Sequence, residues 1–347
     1  KIRAAHKAGT GPVFLGGNSM GVISRPGNYN SWFIPKEKFP MTRGQNYKPT
    51  AFISQSGAFM VTCMAQCPEL EPAYLISIGN QNDLTLGDLV HYFKDKDDVN
   101  VIAVYAEGFN DLDGLDFCTA VRSAVLAGKD VIFYKAGRTP EGKNATAGHT
   151  ASLAGDYMVC ESCVRQAGAI VAHNFSEFEN LVLLAQRLNH KAIRGNRLGA
   201  ISTAGYEAVG MADSIQSDDF VMRLAVLGEK TVERVSQILI AKRIDSLVNV
   251  HNPLDISPGS DDEVLFMATK TFCEDPGVDA VILSILPMAP ALSINIENQG
   301  VVKDGEGIIP MLKKLADETE TPIVCSVNAG KYYDTFIDSW AAGKYYR

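Results

Sequence analysis

One histidine of this sequence lies among small residues: His149, in the segment AGHTASLAG (147–155). A neutral imidazole is a good phosphoryl acceptor near pH 7, and the small neighbours leave room for a phosphate and for movement of the ring. A lone histidine, however, is more often only structural. The segment follows the strand-like DVIFYKAGR (130–138), so we predict that His149 lies in a loop beyond a strand.

Glu107 closes the apolar segment NVIAVYAE (100–107). A carboxylate at the end of a strand can accept the Nδ1–H of a histidine, which fixes the tautomer and leaves the other nitrogen as the nucleophile. The same glutamate could equally be a surface residue at a turn. We predict that Glu107 shares a sheet edge with His149 and orients it.

Two strand-like segments are followed by small residues that begin a helix. They are Ser54-Gln55-Ser56-Gly57-Ala58 and Ser202-Thr203-Ala204-Gly205-Tyr206. The free N–H groups and the positive end of a helix bind anions, and glycine allows close approach. Serine is also an ordinary helix cap, so each segment alone is a weak signal. Together they predict two helix N-termini that hold one phosphate from both sides.

Other residues restrict the chemistry. Lys135 and Arg138 precede the histidine segment and would either balance phosphate charge or be solvated. Cys160 and Cys163 form a lone CxxC, which we interpret as two ordinary helix cysteines rather than a redox or metal pair, and no metal site is predicted. The sequence has no Walker motif, HExxH or GxGxxG, and so no nucleotide-binding signature of its own.

The elements that must position these residues alternate along the chain. Short β-branched segments are followed by helical patterns of about 10–15 residues, which is typical of βαβ units and a parallel sheet. The polar NHKAIRGN (189–196) marks a boundary, after which the same pattern begins again. Ile53-Ser54-x-x-Gly57 and Ile201-Ser202-x-x-Gly205 echo each other, which favours a duplicated fold over two unrelated domains. Residues 23–48 contain three prolines and little periodicity, which predicts a linker.

Composition excludes several classes of protein. The 347 residues suffice for about two domains. A net charge of −8 without a dense run of Lys or Arg argues against nucleic-acid binding. There is no apolar run of about 18 residues that would span a membrane. The seven cysteines are odd in number and scattered, as in a reduced, cytoplasmic protein.

These segments together resemble the NDP-forming acyl-CoA synthetases, the superfamily of succinyl-CoA synthetase and ADP-forming acetyl-CoA synthetase. GGNSMGVI (16–23) is similar to the closing strand and turn of their Rossmann-type CoA-binding domain. The segments that resemble their two ligase domains are FISQSGAF (52–59), residues 77–108 and KAGRTPEGKNATAGHTASLAGD (135–156) for the first, and ISTAGYEAVGMAD (201–213) and NPLDISPG (252–259) for the second.

The resemblance implies an α/β fold: two flavodoxin-like parallel-sheet domains plus the C-terminal remnant of a Rossmann-type CoA-binding domain. Residues 1–47 would be that remnant and a linker. Residues 48–192 would be the first flavodoxin-like domain, with a phosphohistidine loop, and residues 193–347 would be the second.

The resemblance also implies an acid–CoA ligase that converts acid, CoA and NTP to acyl-CoA, NDP and phosphate. His149 would carry the phosphoryl group, and Glu107 would orient it. The binding residues would be Ser56, Gly57, Ala58, Ala204 and Gly205 for phosphate, and Asn18 and Ser19 for CoA. CoA would be a substrate, while NTP and Mg²⁺ would be bound by an ATP-grasp domain or subunit within a homo- or hetero-oligomer.

The sequence departs from the family at three points. Gly17 stands where the family usually has proline, Tyr206 replaces a usual glycine, and neither the ATP-grasp domain nor the first part of the CoA-binding domain is recognisable. Two alternatives remain open: a relative with CoA or carbamoyl chemistry but no nucleotide, and a non-catalytic regulatory α/β module. The acid, the choice of ADP or GDP and the oligomeric state are not determined by the sequence.

Overall fold

A computed structural model describes residues 4–5, 8–35, 37–39, 47–149, 156–215, 221–294, 307–333 and 336. The chain divides into two units, Lys1–Asn189 and His190–Arg347, close to the boundary predicted between residues 192 and 193. In each unit a largely parallel sheet packs against helices around its own apolar core, which confirms the predicted α/β fold class. Every helix in the described ranges is too short or too polar to span a lipid bilayer.

The first unit has seven strands in the order β2-β1-β4-β3-β5-β6-β7. Strands β4, β3, β5, β6 and β7 run parallel in the order 2-1-3-4-5 that defines a flavodoxin-like sheet. The elements are β1 (Gly21–Ser24), β2 (Tyr29–Asn30), β3 (Lys48–Ser54), α1 (Gly57–Gln66), β4 (Pro72–Ser77), α2 (Leu86–Lys94), β5 (Val101–Ala106), α3 (Asp113–Leu126), β6 (Asp130–Lys135), α4 (Pro140–His149), α5 (Tyr157–Ala167), β7 (Ile170–Ala172) and α6 (Phe175–Leu188).

The prediction of a linker over residues 23–48 is wrong for its first part. β1 and β2 form an antiparallel hairpin, and β1 also pairs antiparallel with β4. Ile23 is 3% exposed and pairs with Leu75, so burial of the strand outweighs the weak periodicity. Pro26 lies in the turn between the two strands, where it removes no ladder hydrogen bond. Residues 36 and 40–46 lie outside the described part of the chain.

Helices cover both faces of this sheet, as a parallel sheet requires. On β5, Ile102 and Val104 face a core formed with α2, α3 and α5. Tyr105 points to the opposite face, where its ring stacks on Phe59 of α1 at a centroid distance of 4.2 Å. Phe59 also packs against Phe178 of α6 on that face. The strand ends, rather than the sheet faces, are therefore the places open to a ligand.

The second unit has a five-stranded sheet in the order β10-β8-β11-β12, with the short β9 also paired to β8. All of these pairs are parallel. The elements are β8 (Arg197–Ser202), α7 (Gly205–Asp213), β9 (Arg223–Leu224), α8 (Glu229–Ala241), β10 (Leu254–Asp255), α9 (Asp262–Cys273), β11 (Ala280–Ile285), α10 (Ile308–Glu318) and β12 (Ile323–Val327).

Asn252, at the start of the NPLDISPG segment, links two strands of the second unit. Its Nδ2 donates to the carbonyl oxygens of Leu198 in β8 at 2.7 Å and of Ala225, beside β9, at 2.9 Å. Its Oδ1 accepts the N–H of Ala200 at 2.9 Å. One side chain thus satisfies three backbone groups, so Asn252 acts here as part of the sheet.

We expect Asn252→Ala to lower the free energy of unfolding of the chain by about 2–3 kcal/mol, because a net hydrogen bond contributes about 1 kcal/mol. Urea unfolding followed by circular dichroism measures this loss. The matched control is Asn196→Ala, which removes one hydrogen bond from an exposed asparagine to the Val221 carbonyl and is expected to cost under about 1 kcal/mol. Equal losses for the two variants would contradict the role of Asn252.

Candidate active site

The carboxyl ends of β3, β5 and β6 lie side by side at one edge of the first sheet, since these strands are adjacent and parallel. Ser56 follows β3, Glu107 follows β5, and Lys135 ends β6. The strand order reverses between β3 and β5, and doubly wound sheets bind their ligands at such a switch point. The structure therefore places Ser56 and Glu107 at the predicted edge, on the two sides of the crevice.

His149 is the last residue of helix α4, so the prediction that it lies in a loop is wrong for its backbone. Three features favour a helix here: Pro140 at its first position, Glu141 in its first turn, and Thr139 before it. Thr139 Oγ1 accepts the N–H of Gly142 at 3.1 Å, as a cap does. The side chain of His149 and residues 150–155 of the motif lie outside the described structure.

The N-terminus of α1 is capped by its own sequence. Ser56 Oγ accepts the N–H of Phe59 at 3.2 Å, so the plain role considered for this serine is present. A Cβ atom at Gly57 would collide with the side chain of Met20, and the glycine therefore admits that side chain. Ala58 is exposed in the first turn, where helices leave backbone N–H groups without helical partners.

Three buried side chains bind the backbone of Glu107 and Gly108. Gln55 Oε1 accepts the N–H of Glu107 at 2.8 Å and that of Gly108 at 3.0 Å. Lys135 Nζ donates to the Glu107 carbonyl at 2.8 Å, and Gln81 Nε2 donates to the Gly108 carbonyl at 2.9 Å. The three side chains are 4%, 2% and 2% exposed, in the order Gln55, Lys135, Gln81. All four polar groups of this dipeptide backbone are thus satisfied by buried side chains.

Of the two cations proposed to balance phosphate charge, Lys135 is not solvated. Its Nζ also donates to the Ala136 carbonyl at 2.6 Å. Burial lowers the pKa of the Lys135 ammonium, and the nearby thiol of Cys160 and carboxylate of Glu107 act in the opposite direction. Arg138 is exposed, and its guanidinium lies 3.4 Å from the His173 carbonyl oxygen.

The residues proposed to bind CoA lie beside the end of β4. Ser19 Oγ donates to the Ser77 carbonyl at 2.5 Å and accepts the N–H of Gly21 at 2.9 Å. Asn18 has a φ of 52°, in the left-handed region that asparagine tolerates better than most residues. The hydroxyl of Ser19 therefore holds this turn against the sheet.

Gly79 is the residue that this turn packs against. It has a φ of +63°, and a Cβ atom there would collide with the backbone oxygens of Gly17 and Asn18. The N–H of Asn80 donates to the Gly17 carbonyl at 2.8 Å. The turn at residues 16–19 and the loop after β4 are therefore one connected backbone structure, which explains the glycine in SIGNQND.

The N-terminus of α7 in the second unit differs from that of α1. Its cap residue, Ala204, provides no side-chain hydrogen bond. A Cβ atom at Gly205 would lie 2.8 Å from Asp255 Oδ2, so this glycine accommodates a carboxylate. Glu207, in the first turn, is 7% exposed and its Oε2 lies 3.0 Å from Ser202 Oγ. Two carboxylates thus lie at this helix end, where they complement its positive dipole.

Tyr206 lies at the surface of this helix start and is 62% exposed. Its hydroxyl donates to Glu207 Oε1 at 3.2 Å and accepts from Asn328 Nδ2 at 3.1 Å. The phenol therefore joins α7 to the residue that follows β12. Tyr206 therefore lies within the proposed phosphate-binding turn, and its hydroxyl is held there by the carboxylate of the next residue.

The CxxC pair lies within helix α5, as expected for ordinary helix cysteines. Desolvation by burial raises the pKa of the Cys160 thiol to about 11, against a smaller opposing effect of Lys135. Within the described ranges, no group of three or more His, Cys, Asp or Glu side chains is arranged to hold a metal ion.

Gln55 and Gln81 are the site residues that sequence reasoning missed. Both stand among small or polar residues just after a strand, in SQSG and GNQND. The neighbouring serines and glycines suggest phosphate binding and draw attention away from the glutamines. A long amide in an otherwise small-residue turn is a usable signal, because it can reach the turn after an adjacent strand.

We expect Gly79→Ala to destabilise the first unit by about 1–3 kcal/mol more than Gly128→Ala, because overpacking against backbone costs this much beyond the strain of positive φ. Gly128 has a φ of +84° and no atom within 4 Å of the added methyl group, so it carries the backbone strain alone. Thermal unfolding of both variants measures the difference. Equal stabilities would show that the turn at residues 16–19 does not depend on this contact.

We expect Cys160 to react slowly with iodoacetamide at pH 8, because a thiol with a pKa of about 11 is about one-thousandth ionised there. Its alkylation rate should rise about tenfold per pH unit up to that pKa, since only the thiolate reacts. Peptide mass spectrometry of the native chain gives the rate, with the urea-unfolded chain as the control. Rapid alkylation of native Cys160 at pH 8 would instead support a redox role for the pair.

The chain is similar to several known proteins. A family model described as the succinyl-CoA ligase-like flavodoxin domain matches residues 48–185. The chain is 30% identical over 305 residues to the alpha subunit of ADP-forming acetate–CoA ligase II of Pyrococcus furiosus, a match that covers 87% of this chain and 62% of the relative. It is 33% identical over 244 residues to the ADP-forming acetate–CoA ligase of Methanocaldococcus jannaschii, which covers 70% of this chain and 32% of that protein.

A solved structure matches as well: Ca. Korarchaeum cryptofilum dinucleotide forming acetyl-coenzyme A synthetase 1 in complex with phosphate and ADP. Its TM-score is 0.80 at 25% identity, over 99% of this chain and 69% of that chain. The present chain spans less than two thirds of the length of the two curated relatives, at 62% and 32%. Residues 48–185 therefore match a succinyl-CoA ligase-like flavodoxin domain, and the chain is similar to parts of the ADP-forming acetate–CoA ligases, which confirms the resemblance to the NDP-forming acyl-CoA synthetases.

Proposed function

We propose that this chain is a subunit or part of an NDP-forming acid–CoA ligase that works through a phosphohistidine at His149. The observation that carries the proposal is the similarity over 87% of the chain to the alpha subunit of an acetate–CoA ligase. The overall reaction would be acid + CoA + NTP ⇌ acyl-CoA + NDP + phosphate. The placement of Ser56 and Glu107 at the switch point of the first sheet supports it.

In the direction of NTP synthesis, phosphate would first displace CoA from acyl-CoA to give an acyl phosphate. An imidazole nitrogen of His149 would then attack the phosphorus atom. The N–P bond forms as the bond between phosphorus and the acyl oxygen breaks, and the carboxylate leaves. Transfer of the phosphoryl group to NDP would restore the histidine. Such transfers depend mainly on positioning and on charge stabilisation.

Each residue of the proposed site has a role in this scheme. Glu107 would accept the single N–H of the neutral His149 imidazole and so keep the other, attacking nitrogen unprotonated. The backbone N–H groups at Gly57 and Ala58 would bind phosphate, since they belong to the first turn of α1. Ala204 and Gly205 would contribute the N-terminus of α7 to phosphate binding. The carboxylates of Glu207 and Asp255 weigh against a strong anion site there, which makes the α1 site the better supported one.

The proposed substrates and partner rest on the similarity to the same relatives. The relative from P. furiosus is named as an alpha subunit, so the family includes enzymes with a separate partner subunit. We propose that an ATP-grasp domain or subunit supplies NTP and Mg²⁺, and that Asn18 and Ser19 lie near bound CoA. The neighbour solved with phosphate and ADP favours ADP as the nucleotide. Free thiols at all seven cysteines would suit a cytoplasmic enzyme.

We expect the complete protein that contains this chain to become labelled when it is incubated with acetyl-CoA and ³²P-phosphate, or with γ-³²P-ATP and its ATP-grasp partner. The label should be acid-labile and base-stable, as a phosphoramidate bond is. His149→Ala should abolish it, because the acceptor nitrogen is lost. His91→Ala is the control, since His91 is an exposed histidine on α2 of the same unit. Absence of label under both conditions, or label that persists in His149→Ala, would refute the proposal.

A further inference from the structure

The backbone of Glu107 and Gly108 is held by three side chains that lie at the carboxyl ends of three other strands of the sheet. Gln55 follows β3, Gln81 lies in the loop after β4, and Lys135 ends β6, so each lies at or beyond the carboxyl end of a different strand. Their four hydrogen bonds to this dipeptide measure 2.8, 3.0, 2.8 and 2.9 Å. We name these three side chains the Glu107 clamp.

Hydrophobic packing alone would not favour three buried polar side chains at this place. Burying an amide or an ammonium group costs free energy unless its hydrogen bonds are replaced, and Lys135 loses its hydration in favour of two carbonyl oxygens. Exposed turns usually leave such backbone groups to water. Here the two glutamines are 4% and 2% exposed, and the Oε1 of Gln81 is also occupied by the N–H of Leu86 at 3.0 Å. The arrangement therefore fixes one turn far more tightly than chain reversal requires.

The residue fixed in this way is the carboxylate proposed to orient His149. The N–H and the C=O of Glu107 and the N–H of Gly108 are all bound by the clamp. Glu107 therefore has little freedom in its backbone angles, and the clamp sets the position of its Cβ. We propose that Gln55, Gln81 and Lys135 are positioning residues that hold Glu107 for its action on His149. This inference rests on the proposed function, and it gives the glutamine of the SQSG segment a role other than phosphate binding.

The decisive experiment is a double-mutant cycle on the rate of His149 phosphorylation, in the complete protein with acetyl-CoA and ³²P-phosphate. Glu107→Gln should slow labelling about 100-fold, as loss of a group that assists proton transfer does. Gln55→Met removes the shared acceptor at similar side-chain size and should slow labelling about tenfold, since a displaced group orients poorly. In the Glu107→Gln background, Gln55→Met should change the rate by less than about twofold, because no carboxylate is left to position.

Gln186→Met is the matched control for a purely structural effect. Gln186 is 7% exposed, lies in the same unit, and its Nε2 donates to Thr50 Oγ1 at 2.8 Å and to the Leu70 carbonyl at 2.9 Å. The same substitution there also removes two hydrogen bonds of a buried glutamine, but at the opposite end of β3. It should leave the labelling rate within about twofold of the unmodified protein, because additivity holds for distant sites.

A second measurement tests the clamp without any reaction. Hydrogen–deuterium exchange of the amides of Glu107 and Gly108 should be at least about tenfold faster in Gln55→Met than in the unmodified protein, because both N–H groups lose their acceptor. Gln186→Met should leave these two amides unchanged. Unaltered exchange in Gln55→Met would overturn the clamp whatever the activity shows.

The outcomes separate the two proposals. If the unmodified protein takes no label, the phosphohistidine function fails, and the positioning role falls with it. If the unmodified protein is labelled but Gln55→Met slows labelling by the same factor with and without the Glu107 carboxylate, only the positioning role is overturned. Equal slowing by Gln186→Met would overturn it as well.

Discussion

A parallel strand that ends at the edge of a sheet leaves backbone N–H and C=O groups beyond its last ladder pair, and buried groups of this kind must find partners. In the first unit this constraint is most acute after β5, which has a neighbour on both sides and is buried along its whole length. The partners are three side chains at or beyond the carboxyl ends of β3, β4 and β6. The geometry of the proposed site depends on this solution, because the same dipeptide carries the carboxylate of Glu107.

The N-termini of α1 and α7 look alike in sequence, but their backbone N–H groups lie beside different side chains. At α1, Ser56 caps the helix and Gly57 admits the side chain of a methionine, so no acidic group is brought to the helix end by these contacts. At α7, the cap is an alanine, and Asp255 and Glu207 lie at the first turn. A shared I-S-x-x-G pattern therefore fixes a strand–turn–helix backbone but not its electrostatics, since the charges come from residues outside the pattern, Glu207 just after it and Asp255 about 50 residues away.

The fold was largely accessible from the sequence, because alternating strand and helix patterns and the boundary near residue 190 are local signals.

The site was accessible only in part. Placing Ser56 and Glu107 at one edge needs only the parallel order of β3 and β5. The sequence predicts a loop at His149, because the many small residues of the segment hide the helix start at Thr139 and Pro140. The hairpin at residues 21–30 was missed because its stability comes from pairing with β4, a contact invisible to local periodicity. The roles of Gln55 and Gln81 depend on neighbours 52 and 27 residues away, which no single segment records.

The energetics of the clamp indicate which member of the proposed pair is fixed. Replacing the glutamines and the lysine by apolar residues would avoid burying three polar side chains but would leave four backbone groups unsatisfied, each at a cost of about 1–3 kcal/mol. The polar cluster is therefore self-consistent, and removing any one member leaves its partners unpaired, which makes the turn resistant to small adjustments. His149 is placed by a different part of the chain, at the end of a helix whose start is set by Thr139. In the proposed reaction the clamp thus sets the position of the carboxylate, whereas the backbone position of the histidine is set by helix α4.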